Sequence, residues 1–166
     1  MEVAQAGEKD KVGILRLYKQ FNQDRIKSGI GDSDFKFLKS EMPWAATLDD
    51  DECTTFIIRE KSIILGFITI RLSSFNPFPK VDKLSEVDLI VVDRKLRRKS
   101  LGSILLKKAI SHLKTYAVSH LLLNVRVGNN AAMEFWMSHG FKKLSSTQFE
   151  REDGQSEQTV YMIKKL

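Results

Sequence analysis

The periodicity of apolar and polar positions switches several times along this chain, and each switch marks a change of element. A short apolar stretch at Glu2 to Gln5 predicts a strand, followed by Asp10 as a candidate N-cap. Val12, Leu15, Leu17, Tyr18 and Phe21 then read as one face of a helix. Ser33, Phe35, Phe37, Leu38 and Met42 suggest a second, shorter helix. Thr54 to Arg59 and Ser62 to Leu72, rich in Ile, Phe and Thr and broken by Glu60-Lys61, predict a β-hairpin. Asn76-Pro77-Phe78-Pro79 interrupts any strand, because proline cannot donate to a ladder, so Ser73 to Leu84 reads as an exposed loop. Glu86 to Val92 predicts a central strand. Leu101, Leu105, Ala109 and Leu113 recur every four residues, with Leu106 and Ile110 beside them, and predict an amphipathic helix ending near Tyr116. A strand over His120 to Val127 follows, then a helix over Asn129 to His139 closed by Gly140, a residue type suited to a left-handed C-terminal position. Phe141 to Glu150 and Thr159 to Lys165 predict a closing hairpin around a polar loop, Glu152 to Glu157. The strand, crossover helix and strand within Glu86 to Val127 favour a parallel pair, and the flanking hairpins favour antiparallel pairs. The expectation is one α/β (α+β) domain over residues 1–166 with a mixed sheet.

Composition narrows the function classes only modestly. At 42% apolar and 29% charged residues the chain has ordinary globular usage, which argues against disorder and fibrous classes. No stretch approaches the ~18 uninterrupted apolar residues of a membrane span, and the first residues lack the basic-then-apolar order of a signal peptide, so a cytoplasmic, membrane-free protein is expected. Cys53 is the single cysteine and has no neighbouring base to activate it. His112, His120 and His139 show no metal-ligand spacing with Cys or paired carboxylates, so no metal is expected. The net charge of +6 suits several kinds of polyanion, and its placement decides more than its size.

Five of the six residues from Arg94 to Lys99 are basic, at the point where a strand ends and an amphipathic helix begins. A helix start offers unpartnered backbone N–H groups and the positive end of the macrodipole, and arginines add full charges; together these hold phosphates. Arg97, Arg98, Ser100, Gly102 and Ser103 are the candidate backbone donors within the run that also includes Lys99 and Leu101. Arg94, Lys95 and Lys99 enrich the positive potential around them. The ligand implied is an anion, pyrophosphate first.

These residues resemble the GNAT superfamily of acyl-CoA-dependent N-acetyltransferases. Arg97-Arg98-Lys99-Ser100-Leu101-Gly102 matches the family's phosphate loop except at Ser100, where the pattern has glycine. Asn129, Ala132, Trp136 and Gly140-Phe141 match a second signature, in family order, except that Trp136 stands where many members have tyrosine. The resemblance implies a mixed, mostly antiparallel central sheet flanked by helices with a splayed central parallel strand pair. It implies acetyl-CoA as co-substrate, with backbone groups near Ile90 and Val92 pairing with pantetheine amides where the sheet splays after Val92. Asn129 would bond the pantetheine or cap the following helix. Trp136, whose indole N–H can donate a hydrogen bond without transferring its proton, would sit beside the sulfur.

Alternation along the Glu86 strand puts Val87, Leu89 and Val91 on one face and Glu86, Asp88, Ile90 and Val92 on the other, which is expected to look into the cleft. Glu86 lies eleven residues before Arg97, the spacing at which protein-lysine acetyltransferases of the superfamily carry a general-base glutamate. Glu86 is therefore the first candidate base and Asp88 the second, against the alternative that both only hydrate or pair at a strand end. Solvent or Tyr161 would supply the proton that Trp136 cannot. Trp44, Phe75 and Phe78 are candidates to line an acceptor pocket, and Asp49-Asp50-Asp51-Glu52 to attract a cationic one.

The expected activity is transfer of an acetyl group from acetyl-CoA to a primary amine, by direct attack, on a small molecule, peptide or protein; a homodimer is left open. A non-catalytic acyl-CoA-binding or regulatory domain is the alternative. A nucleic-acid module is disfavoured, because no aromatic-basic interleaving accompanies the basic run.

Overall fold

The computed structural model describes residues 1–27, 52–72, 83–150 and 156–166. The expected second helix, the Asn76 to Pro79 loop, the Asp49 to Asp51 acidic run, Trp44, Phe75, Phe78 and most of the Glu152 to Glu157 loop lie outside these residues. Within them the order is β1 (Glu2–Gln5), a 3₁₀ turn (Glu8–Asp10), α1 (Lys11–Lys27), β2 (Cys53–Glu60), β3 (Ile63–Arg71) and β4 (Leu84–Val92). A second 3₁₀ turn (Arg94–Leu96), α2 (Leu101–Thr115), β5 (His120–Arg126), α3 (Asn130–Ser138), β6 (Lys142–Glu150) and β7 (Ser156–Lys165) complete it. Among the described residues the strands form one sheet in the order β1-β2-β3-β4-β5-β7-β6. Every neighbouring pair is antiparallel except β4 and β5, which are parallel. The fold is the mixed, mostly antiparallel α/β architecture expected.

Each face of the sheet carries its own core. Under α1, Ile14 and Leu17 pack on Ile57, Ile64, Phe67 and Val91. The opposite face is covered by Leu101, Leu105, Ala109 and Leu113 of α2, and Trp136 of α3 joins the same cluster with Phe56, Ile58, Ile68 and Ile70. The four-residue spacing of α2 thus marks a buried stripe. In α1 the expected face needs correction: Val12 is 79% exposed and Ile14 is the buried residue. Val12 and Leu17 are five residues apart, roughly 140° around a helix, whereas Ile14 and Leu17 share a side. Asp10 also differs from expectation. Its carboxylate accepts from the Gly7 backbone N–H at 3.0 Å and from Arg59 at 3.4 Å, fixing the chain's entry into α1.

Two irregularities shape β4. Its parallel pairing covers only Leu84, Ser85 and Glu86, set against His120, Leu121 and Leu122. The sheet therefore splays after Glu86, well before the expected position beyond Val92, and among the described residues the strand partner of β4 from there to Val92 is β3. On the β3 side, Ile70 pairs with Val87 and Thr69 with Leu89, so Asp88 is the extra residue of a β-bulge. The bulge breaks the expected alternation. Val87 joins the α2-side core that Ile90 and Val92 also pack against, while Val91 and Leu89 belong to the α1 side. Glu86 stands opposite Arg71, whose parity in β3 is that of Phe67 on the α1 side.

Gly66 explains how β3 approaches β4 so closely. A Cβ there would stand 2.9 Å from the Val91 carbonyl oxygen and 3.2 Å from Leu105. Gly66→Ala is expected to destabilise the fold by about 1–3 kcal/mol, as overpacking against backbone does, read from the urea unfolding midpoint.

Candidate active site

A cleft of about 700 Å³ opens where β4 ends, walled by the loop to α2, the first turn of α2, α3 and the C-terminal half of α1. Its lining includes Ile90, Val92, Arg97, Arg98, Ser100, Leu101, Gly102, Ser103, Asn129 and Trp136, so the expected cofactor-side residues are gathered with the single exception of Lys99. Glu86 and Asp88 are not part of this lining.

The loop has the backbone of an anion cradle. Arg98 (φ 63°) and Ser100 (φ 61°) are both left-handed, separated by Lys99, a conformation that turns successive N–H groups toward a concavity. Ser100 therefore adopts the shape for which glycine is the usual choice, at a local strain of about 1–2 kcal/mol. The first N–H bonded back into the helix is that of Ile104, to Ser100 O at 3.0 Å, so the amides of Leu101, Gly102 and Ser103 belong to the helix start. Gly102 serves close packing: a Cβ there would meet the Phe135 ring at 3.2 Å. Its absence brings the start of α2 against α3.

Asn129 caps α3, its Oδ1 accepting from the Ala132 N–H at 3.2 Å, and it faces the same cleft. Trp136 is only 5% exposed, packed edge-on against Phe135 and Phe141 at ring-centre distances of 4.9 and 5.1 Å. It is a core residue with one edge on the cleft. Gly140 takes the expected left-handed conformation (φ 82°), and the Phe141 N–H returns to Trp136 O at 3.1 Å.

The α1 wall contributes residues that sequence reading missed. Asp24 presents one carboxylate oxygen to Arg97 at 2.5 Å and the other to Arg94 at 3.2 Å. Gln20 accepts from the Arg94 backbone N–H at 3.0 Å, and Arg16 donates to Asp93 at 2.9 Å and to Ile64 O at 2.6 Å. Burial pushes the Asp93 carboxyl up, but the bonds from Arg16 and from the Lys95 N–H outweigh it and hold the group below its ordinary value. Arg16, Gln20 and Asp24 are spaced by four, one stripe of α1 laid against the loop. That polar stripe was the available signal.

At the splay, Glu86 is mostly buried. Burial and the neighbouring Asp88 charge push its carboxyl above the ordinary range, opposed by Arg71 and by a hydrogen bond from Asn124. Asp88 itself pairs with Arg71 at 3.2 Å and receives a long contact from Cys53 Sγ at 3.9 Å. Tyr161 lies opposite Asn124 in the β5–β7 ladder and does not line the cleft. Among the described residues, no cluster of His, Cys, Asp and Glu is arranged to hold a metal ion. No described helix is long and apolar enough to cross a membrane.

The sheet that splays beside a phosphate-type loop defines an acyl-transferase class of architecture. The chain belongs to the acetyltransferase (GNAT) family, whose profile matches residues 14–141. It is similar to an N-alpha-acetyltransferase of Sulfurisphaera tokodaii, 26% identical over 113 residues that make up 65% of this chain and 68% of that protein. In fold it matches a ribosomal-protein-alanine N-acetyltransferase from Brucella melitensis (TM-score 0.73, 20% identity, 100% of both chains). It also matches the PaiA N-acetyltransferase from Thermoplasma acidophilum, solved in complex with coenzyme A (TM-score 0.76, 15% identity, 99% of this chain and 98% of that one).

Asp24 places a carboxylate beside Arg94 and Arg97 on the cleft wall, and its partly exposed ion pairs are each worth no more than about 1 kcal/mol. Asp24→Asn is expected to tighten inorganic pyrophosphate binding about two- to fivefold in calorimetry while changing stability by less than about 1 kcal/mol.

Proposed function

We propose that this chain transfers the acetyl group of acetyl-CoA to a primary amine, which attacks the thioester directly while both ligands are bound. The observation that carries the reading is the end of the β4–β5 pairing at Glu86, which among the described residues leaves the β5-side edge of β4 open from there to the phosphate-type loop. The donor set fits coenzyme A: helix-start amides, two left-handed loop residues and arginines suit its pyrophosphate, and a free strand edge suits the amides of pantetheine. Acetyl-CoA supplies the activated thioester. Backbone groups near Ile90 and Val92 align the pantetheine as an added strand, and Arg97 to Ser103 hold the phosphates.

On the other side of β4, Glu86 takes the proton that an acceptor ammonium must lose before it attacks. Its burial and the adjacent Asp88 raise its basicity toward that task. Asn124 and Arg71 orient and moderate it. Trp136 closes the cleft floor and offers no transferable proton, so the departing thiolate, of ordinary pKa ~8.5, is protonated from solvent. The acidic pair favours a cationic acceptor. The similarity to an N-alpha-acetyltransferase puts peptide α-amines first in an acceptor screen, ahead of lysines and small amines. The core position of Trp136 also suits a non-catalytic acyl-CoA-binding domain, and coenzyme A release in the presence of peptides separates the two readings.

Calorimetric titration with acetyl-CoA is expected to give micromolar binding that is lost in Arg97→Glu, Gly102→Glu, which places two carboxylates at the loop. Absence of binding by the folded wild type overturns the acyl-CoA reading.

With an amine acceptor in hand, kcat is expected to fall as pH drops through a carboxyl value above the ordinary range, because only the ionised Glu86 accepts a proton. Glu86→Gln is expected to lower kcat about 100-fold and remove that limb. Asp88→Asn, which deletes the charge that raises Glu86, is expected to move the limb to lower pH. A limb that stays put in both variants assigns the base elsewhere.

A further inference from the structure

His139, the C-terminal cap of α3, lies on the cleft wall with both ring nitrogens engaged. Nδ1 is 2.7 Å from the Phe135 carbonyl oxygen and 3.2 Å from Ser138 Oγ, whose own hydrogen goes to that carbonyl at 2.7 Å, and Nε2 is 2.8 Å from Ser103 Oγ in the first turn of α2. A carbonyl oxygen only accepts, so Nδ1 carries a hydrogen. In the neutral ring Nε2 is then a lone pair, and the hydrogen in the 2.8 Å contact is that of the Ser103 hydroxyl. A serine has one such hydrogen. Spent on His139, it leaves only oxygen lone pairs facing the place where helix-start amides and Arg97 gather an anion. In the imidazolium form the roles invert: Nε2–H donates to Ser103 Oγ, and the serine hydrogen is released toward the cleft together with a nearby positive charge.

We propose that His139 is the positioning residue of the Ser103 hydroxyl, and that the pair forms a proton-coupled donor for the pyrophosphate of the acyl carrier. The inference rests on the acyl-CoA reading above and adds to it a proton taken up on binding. By linkage, an anion that prefers the protonated pair raises the proton affinity of His139, and a proton on His139 tightens the anion by the same factor. The charged groups on the surrounding elements bear on the balance. Lys164 of β7 donates to the His139 carbonyl oxygen, and Arg97 and Arg98 of the loop with Asp24 and Arg25 of α1 line the same cleft. Glu134 of α3 is also on the lining. The incoming pyrophosphate favours the proton. The ring is held in place independently of the proton by its tilted packing on Phe135, at 4.4 Å between ring centres.

The test is calorimetry with 3′-dephospho-coenzyme A, a probe whose pyrophosphate diester does not titrate between about pH 5.5 and pH 8.5. Binding by the wild-type protein is expected to tighten about three- to tenfold as pH falls across that window. Measured near neutrality in buffers of different ionisation enthalpy, it is expected to take up a fraction of a proton. His139→Gln retains a hydrogen-bonding group near Nε2 but cannot titrate, and is expected to lose both the pH slope and the proton uptake. Ser103→Ala is expected to weaken binding mainly at the acid end, and the double variant to add little beyond either single one. Wild-type binding without proton uptake, or a slope that survives His139→Gln, overturns this inference and leaves the acyl-CoA reading standing. No binding of the probe at any pH overturns both.

Discussion

The structure depends on where β4 and β5 part. Three residues of parallel pairing tie the halves of the sheet together, and beyond Glu86 the backbone of β4 has, among the described residues, a strand partner on one side. Unpaired strand groups in the middle of a sheet are a standing demand for hydrogen bonds. Here the demand is maintained by the cores on either face: α2 and α3 hold one side of β4, and α1 holds the other. Closing the gap would require β4 to leave one of those contacts. The fold thus keeps a vacant edge in place by packing around it.

Charge is organised around the same gap. The loop after β4 combines left-handed backbone, helix-start amides and arginines, a combination that repels itself without a counter-charge. Asp24 supplies one from α1, and Gln20 and Arg16 continue the attachment along the helix. The loop is consequently braced against the α1 wall.

Much of this was legible in the sequence where the signal is local. The β1 boundaries, the β2–β3 hairpin, the buried stripe of α2 and the Gly140 terminus follow from periodicity and turn chemistry, which act over a few residues. The family resemblance located the cleft through Arg97 to Gly102 and Asn129 to Phe141. What was not legible depends on contacts distant in sequence. The bulge at Asp88 is a compromise between β4 and β3 that no residue in β4 announces. The alternation rule therefore placed Glu86 and Val92 on one face when they occupy two. Val12 was assigned by its apolarity when its angle around α1 sends it to solvent. The pairing of Asp24 with Arg94 and Arg97 joins residues some seventy positions apart, and the contact of His139 with Ser103 joins the end of one helix to the first turn of another.

The extra residue at Asp88 has a wider implication. In a regular strand, the groups on either side of it would fall on one surface, and two ligands drawn to them would contend for the same space. With one residue added, β4 becomes a partition: Ile90 and Val92 belong to the compartment of the cleft, and Glu86 to the compartment across the sheet. On the proposed reading, the acyl carrier and its acceptor enter from opposite sides and meet only at the splay. Neither then has to leave before the other arrives, and the acceptor compartment can diverge in sequence without disturbing the one that holds the carrier.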